Sequence, residues 1–377
     1  MKKIFMISRE YPPSTSGASI AIHNYIKDIT SHNFFVISYF KPKKSKKNFV
    51  VKKIQEKWKH HRYLSAARFV SLSILNSFRN FDCIIGNALI GSLCGTIIKI
   101  LRGKPLISMV YDVDSIYEEA QAFSKTGKFV RKLVYKLILK YSDKIIVSSE
   151  KVKKDIMKIF GNELAKNVKV LPIGVEIKSF KKIEKPRNKK IVITVGGIME
   201  KRGLEYLVEA FESVVKKVNN AELWIIGPVI EKSYYEKIDN LIKTLHLQKY
   251  IRFTGRIPYF SNGVNIFSYY DICDIFVVAS YHSAGYSLTC LEASLMGKPI
   301  VANDLIEETG VVVNKKTALI VPRKNSKKLA KAIISLLRNK KLREKLGNNG
   351  KIYGKKFSPD EITKQYEQII NTVLESS

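Results

Sequence analysis

The sequence contains no GxxxxGK(S/T), no GxGxxG, no HExxH and no GxSxG. The first two absences argue against a P-loop motor and a standard nicotinamide dehydrogenase, whose phosphate cradles need those glycine spacings. No run reaches the roughly 18–20 apolar residues that would span a bilayer. The opening MKKIFMISREYPP is too short in apolar length for a secretory leader and reads as a first buried strand. Cysteine is scarce: Cys83, Cys94, Cys273 and Cys290 form no CxxC and no cluster with histidine. That spacing fits reduced thiols of a cytosolic protein, not a zinc site or a disulfide framework. Acidic residues are the other shortage, 33 against 66 Lys and Arg, for a net charge of +33. Two readings stay open for that excess: solvated lysine-rich faces, or attraction to a polyanion such as nucleic acid, anionic lipid or a phosphorylated substrate.

What is present is apolar in short, regular pieces. Strand-like runs fall at 3–8, 34–40, 83–87, 105–111, 144–149 and 168–172, then at 190–196, 221–227, 250–254, 273–280, 298–302 and 317–322. Most are continuous rather than alternating, as in parallel strands covered by helices on both faces. Helical patterns lie between them, the clearest at 203–218, with Leu204, Leu207, Val208, Phe211, Val214, Val215 and Val218 on one stripe. Alternating β and α units predict doubly wound α/β domains. The basic, apolar-poor segment 176–190 predicts a linker, leaving an N-terminal domain over 1–175 and a C-terminal domain over 191–358. Such sheets bind ligands beyond the carboxyl ends of their strands, so two facing domains predict a cleft.

Three segments carry candidate chemistry. In TVGGIMEKRGLEYLVEAF (194–211) a strand ends at Gly196-Gly197, and Arg202-Gly203 opens the helix. Glycines allow close backbone approach, and a cation at a helix start suits a phosphate; a tight turn with a surface arginine is the alternative. SREYPPSTSGASIAIHNYI (8–26) repeats the pattern, with Gly17 at the helix start and His23 further along it, a residue that by itself is more often packed than catalytic. In YHSAGYSLTCLEASLMGKP (281–299) the lone acid Glu292 sits on a helix face that should be buried. An unpaired carboxylate is costly there, so its partner is a ligand hydroxyl pair such as a ribose diol, or a structural salt bridge. Asp112 and Asp114 have the spacing of a weak DxD metal signal.

Together these segments resemble the retaining glycosyltransferases of the GT-B fold, family 4, over nearly the whole chain. GGIMEKRGLEYLVEAF is similar to that family's G-R-L-x-x-x-K-G loop and helix. AGYSLTCLEASLMGKPIVAND is similar to E-G-F-G-x-x-x-x-E-A-x-A-x-G-x-P-V-V-A, ALIVPRKNSKKLAKAIISLL to G-L-L-V-P-x-x-d-x-x-x-L-A-x-A-I, and VLPIGVE to V-I-P-N-G-V-D. The resemblance implies two Rossmann-like domains facing across a cleft, with a final helix over 359–377 crossing back to the N-terminal domain. It also implies a nucleoside-diphosphate sugar donor in the C-terminal domain, an acceptor in the N-terminal one, and no metal or other cofactor. Glu292 would be the second glutamate of the EX7E pair, on the donor ribose. Arg202 would meet the diphosphate, and Gly196 and Gly197 would line the donor. Gly285, Tyr286, Ser287 and Leu288 would form the loop against sugar and phosphate. Gly17, with His23 on its helix, would sit at the glycine-loop position, and Tyr111 and Asp112 at the reaction centre. The departures are Ala284 at the first glutamate, Gly197 at the loop arginine, Tyr111 at the usual histidine, and no glycine pair in NDLIEETG. His282 and Arg256 are the nearby polar groups available to compensate.

Two basic stretches lie in the N-terminal half. Residues 41–59 hold nine lysines and one glutamate, with Val50, Val51, Ile54 and Trp58 interleaved. This fits a loop lying on anionic lipid, where each basic residue contributes about 1 kcal/mol. Residues 125–144 form a second basic amphipathic pattern, with Phe129, Val130, Leu133, Val134, Leu137 and Ile138 on one side and lysines on the other; an ordinary helix packed on the sheet is the favoured reading, a second membrane-facing segment the alternative. The expectation is a cytoplasmic glycosyltransferase, peripheral on the membrane face. It moves a sugar to a lipid-linked glycan or polysaccharide acceptor and does not bind nucleic acid. The alternative is a catalytically degenerate relative that binds a ligand or partner.

Overall fold

The computed structural model describes residues 1–14, 16–42, 47–55, 62–113, 116, 124–259, 261–281 and 286–376, of which Arg62 and Tyr63 are described by backbone alone. It divides into two compact units, Met1–Gly174 with Pro359–Ser377, and Val175–Ser358.

The first unit runs β1 (Lys2–Ser8), α1 (Gly17–Ile26), β2 (His32–Ser38), β3 (Phe49–Lys53), α2 (Arg62–Asn76), β4 (Cys83–Asn87), α3 (Ala88–Arg102), β5 (Leu106–Val110), α4 (Lys125–Tyr141), β6 (Lys144–Val147), α5 (Glu150–Phe160), α6 (Asn162–Ala165) and β7 (Val168–Val170). Its seven strands are ordered β3-β2-β1-β4-β5-β6-β7, and every pairing is parallel. Ile4, Phe5, Met6 and Ile7 are all buried, which a strand covered on both faces requires.

β3 lies where the sequence suggests a lysine-rich loop on lipid. Val51 pairs with Val36, and Val51 and Ile54 are buried, because the sheet edge takes up their apolar surface. Val50 stays exposed, and Trp58 is outside the described residues.

The second unit runs β8 (Lys190–Val195), α7 (Leu204–Lys217), β9 (Ala221–Ile226), α8 (Lys232–Thr244), β10 (Ile251–Gly255), α9 (Ile266–Ile272), β11 (Ile275–Val277), α10 (Leu288–Leu295), β12 (Ile300–Asn303), α11 (Asp304–Glu307), β13 (Ala318–Val321), α12 (Ser326–Arg338) and α13 (Lys340–Gly354). Its sheet order is β10-β9-β8-β11-β12-β13, again wholly parallel. One core packs α7, α8 and α12 on one face of the sheet, with Leu204, Leu207, Val208, Phe211 and Val214 fully inside. The other, around Tyr270, Phe276 and Leu291, covers the opposite face with α9 and α10.

The segment 176–190 is not a free connection. Ser268 Oγ donates to Lys181 O at 2.7 Å, Asn265 Nδ2 donates to Ser179 O at 2.8 Å, and Lys185 pairs with Asp274 at 2.6 Å. Phe180 and Ile183 pack on the second unit's core. The last helix, α14 (Pro359–Glu375), belongs to the first unit. Tyr366 on it stacks on Tyr25 of α1, 5.1 Å between ring centres, and Thr363 donates to Asn24 O.

Candidate functional site

In both sheets the strand order reverses once, between β1 and β4 and between β8 and β11. Ligands of doubly wound sheets bind at the carboxyl ends of the strands flanking that reversal. In the second unit those strands lead into the 196–203 loop and into α10.

The 196–203 loop is shaped by glycine. Gly227 has φ +149, and a Cβ there would lie 2.0 Å from Gly196 O, so the turns after β8 and β9 touch backbone to backbone. Gly196, at φ +153, has the Arg202 guanidinium lying over its Cα, with Arg202 Cζ 2.9 Å from where a Cβ would be. Gly203, at φ +61, places its Cα against Ala279 O at the end of β11. Leu204 N, the first helical amide of α7, donates to Tyr234 Oη at 2.8 Å.

Arg202 Nε is buried and has no hydrogen-bond partner among the described residues. Burial lowers the guanidinium pKa, and the Cys290 side chain in the first turn of α10 acts against that. Cys290 bonds to the side chain of Ser287, and burial pushes its thiol up to about 12. Ser287 is the N-cap of α10 but makes no side-chain cap bond. Among the described residues, a partly desolvated cation without a carboxylate therefore stands beside a helix start whose N-cap side chain makes no cap bond. That combination suits an anion with several oxygens.

Glu292 follows one turn later on α10 and is 2% exposed. It makes no salt bridge among the described residues. Instead Tyr270 Oη donates to its Oε2 at 2.9 Å, and Tyr259 provides a second side-chain hydrogen bond. Burial raises its carboxyl from 4.5 to about 7, against the pull of the two phenols. Tyr259 reaches it from the segment after β10, and Tyr270 from α9. Neither position stands out in the sequence, because contacts across 22 and 33 residues leave no local pattern.

Of the other candidates here, Tyr286 is half-buried with its ring 6.3 Å from that of Phe357, and Leu288 packs on the core. Gly197 leaves room for Ile230, whose Cγ1 would be 2.6 Å from a Cβ, so Ile230 occupies the side-chain space at this position. His282, Ala284 and Gly285 lie outside the described residues, and Arg256 is exposed. In NDLIEETG, Asp304 pairs with Arg323 at 3.2 Å and Glu307 accepts from Asn314 N at 2.9 Å, so both acids hold local structure.

In the first unit the reversal is bridged by side chains. Asn87 Nδ2, ending β4, donates to Ser8 Oγ, ending β1, at 2.8 Å. Tyr111 Oη donates to Asn87 Oδ1 at 2.7 Å. Burial pushes the Tyr111 phenol well above its ordinary value, so it keeps its proton at neutral pH. Asp112 is half-buried and its carbonyl accepts from Tyr135 Oη at 2.9 Å; Asp114 is outside the described residues. Among the described residues no cluster of acids, histidines and cysteines could hold a metal. Gly17 is exposed as the first residue of α1, and His23 faces Tyr11, Nδ1 to Oη 3.5 Å. Asn87, Tyr259 and Tyr270 are the site residues that sequence reasoning missed.

Residues 175–353 match the family described as glycosyl transferases group 1. An uncharacterized glycosyltransferase of Methanocaldococcus jannaschii is 25% identical over 99% of both chains. The capsular polysaccharide biosynthesis glycosyltransferase CapM of Staphylococcus aureus is 28% identical over 76% of this chain and 75% of its own. The crystal structure of Anabaena HepE in complex with UDP-glucose shares the fold, with TM-score 0.79 and 17% identity over 99% of this chain and 100% of that one.

Proposed function

From a chain that carries a glycosyl transferases group 1 domain and has the GT-B fold of its structural neighbours, we propose transfer of a hexose-type sugar from a nucleoside diphosphate to a lipid-linked glycan or polysaccharide acceptor, with retention of configuration and without a metal. The observation that carries the donor assignment is Arg202, half-buried beside the start of α10, whose buried Nε has no hydrogen-bond partner among the described residues. A diphosphate would complete both groups. Glu292 would take the ribose diol, its carboxylate already fixed by Tyr259 and Tyr270. The UDP-glucose bound by HepE supports a nucleotide sugar, and the name of CapM supports a polysaccharide product.

In the proposed reaction the bond from the anomeric carbon to the diphosphate breaks and the acceptor oxygen bonds that carbon on the same face. The acceptor proton passes to the departing phosphate oxygen. Arg202 and the α10 amides stabilise the charge that develops there. Tyr111 holds its proton, so its part is to position, with Asn87, whatever enters beside Asp112. Location on the cytoplasmic membrane face belongs to the same proposal; among the described residues no helix is long and apolar enough to cross a membrane. The alternative of a binding subunit without turnover is not favoured, since the relatives matched over most of their length are named as glycosyltransferases.

Titration calorimetry with UDP, GDP and ADP, followed by hydrolysis assays with the corresponding sugar nucleotides, tests the donor. One diphosphate should bind, and Arg202→Ala should lose most of that affinity. Binding of none, or equal binding by Arg202→Ala, refutes the assignment.

A further inference from the structure

The structure overturns the expected packing of α4. The sequence pattern suggests a helix burying Phe129, Val130, Leu133, Val134, Leu137 and Ile138 on the sheet. Of these Ile138 is buried as expected, but the face that packs runs through Tyr135, Ile138 and Leu139. Phe129 is 69% exposed, Val130 51%, Leu133 50% and Leu137 38%. Phe129, Leu133 and Leu137 are four residues apart and form one row along the helix, with Val130 beside it. Lys132, Lys136 and Lys140 form a parallel row at the same spacing. The helix KTGKFVRKLVYKLILKY holds no acidic residue. Lys132 and Lys136 make no ion pair among the described residues. The helix is anchored at two points: Ser124 caps it, accepting from Gly127 N at 3.1 Å, and Tyr135 Oη donates to Asp112 O.

The neighbouring helix also exposes apolar side chains. α3 packs beside α4, and Lys99 pairs with Asp143 where the two helices end. At that end α3 exposes Ile100 and Leu101, at 59% and 61%, next to Arg102. Singly exposed apolar side chains are ordinary, but a continuous row flanked by lysines with no acidic partner among the described residues is not.

We propose that this α3–α4 face docks the protein on an anionic lipid bilayer, the apolar row entering the headgroup boundary and the lysine row meeting lipid phosphates. The charge argues for that occupant, since the helix is purely basic on a chain of +33. The apolar row argues for lipid over nucleic acid, whose phosphates give Phe129 and Leu133 nothing to enter. This deepens the peripheral location proposed above, which the sequence assigned to residues 41–59, and does not depend on the donor assignment.

The full chain is sedimented with phosphatidylcholine vesicles with and without phosphatidylglycerol. Binding should require phosphatidylglycerol and weaken with salt. Lys132→Gln, Lys136→Gln and Lys140→Gln combined should lower it on the order of 100-fold, at about fivefold per lysine. Phe129→Ala with Leu133→Ala should lower it about tenfold or more with the charge unchanged. These side chains are exposed, so circular dichroism and nucleotide affinity should stay as in the parent chain. Wild type remaining in the supernatant, or both variants binding like wild type, overturns the proposal. So does a general polyanion patch, in which duplex DNA binds as tightly as vesicles and only the lysine variant matters. Lost vesicle binding with retained nucleotide binding separates this face from the donor site; failure of both in wild type counts against each independently.

Discussion

Glu292→Gln should stabilise the protein at alkaline pH while weakening the proposed nucleotide binding. The carboxyl is 2% exposed and burial raises it from 4.5 to about 7. Between those values the folded state holds a proton that the unfolded state has released. Stability contributed by the protonated acid is therefore complete below about pH 4.5 and lost as pH rises through about 7. The ionised form costs about 3 kcal/mol above that window. Glutamine keeps the shape, can accept from one tyrosine hydroxyl and donate to the other, and never ionises. Urea unfolding should show the variant ahead by up to about 3 kcal/mol near pH 8, with the gain vanishing near pH 4.5. A hydroxyl bound to a carboxylate is held more tightly than one bound to an amide, so nucleotide affinity should fall roughly tenfold or more. In wild type, affinity should rise with pH toward a plateau above about 7, because the diol selects the ionised form. Parallel stability curves for the two proteins would refute the buried titration. Unchanged nucleotide binding by the variant would refute the ribose assignment.

Arg202→Lys should retain part of the diphosphate affinity and Arg202→Ala very little, with turnover down about 10²–10³-fold in the latter, read as kcat with saturating donor. Gly227→Ala, whose Cβ would lie 2.0 Å from Gly196 O at φ +149, should destabilise by at least about 2 kcal/mol in urea unfolding. Gly196→Ala should act more on nucleotide affinity, since its Cβ meets the Arg202 guanidinium. Tyr111→Phe leaves Asn87 Oδ1 without its phenol donor and should cost about 1–2 kcal/mol of stability. It should leave the pH dependence of kcat/KM in place, and loss of the alkaline limb would instead make Tyr111 a base.

The sequence alone determined the alternation of strands and helices. Continuous β-branched runs such as KIFMIS and KIVITV, repeated between helical patterns, fit strands of a covered parallel sheet, and the 3.6-residue stripe from Leu204 to Val214 dictates α7 and its buried face. These signals are local, so they survive without coordinates. Gly196 and Arg202 were legible for the same reason, as a loop between a strand end and a helix start. Tertiary structure decided what depends on partners distant in sequence. Val51 is buried because it pairs with Val36, although it lies in a lysine-rich stretch and Lys52 and Lys53 follow it directly. α4 packs through Tyr135, Ile138 and Leu139, while Phe129 and Leu133 remain exposed, since several angular settings of the same periodic pattern bury comparable area and only the surface beneath selects one. Glu292 meets two phenols where a cation or open solvent would have served the same sequence, because α9 and the segment after β10 bring Tyr270 and Tyr259 to it. Periodicity says which residues leave water; only the folded chain says what they meet when they do.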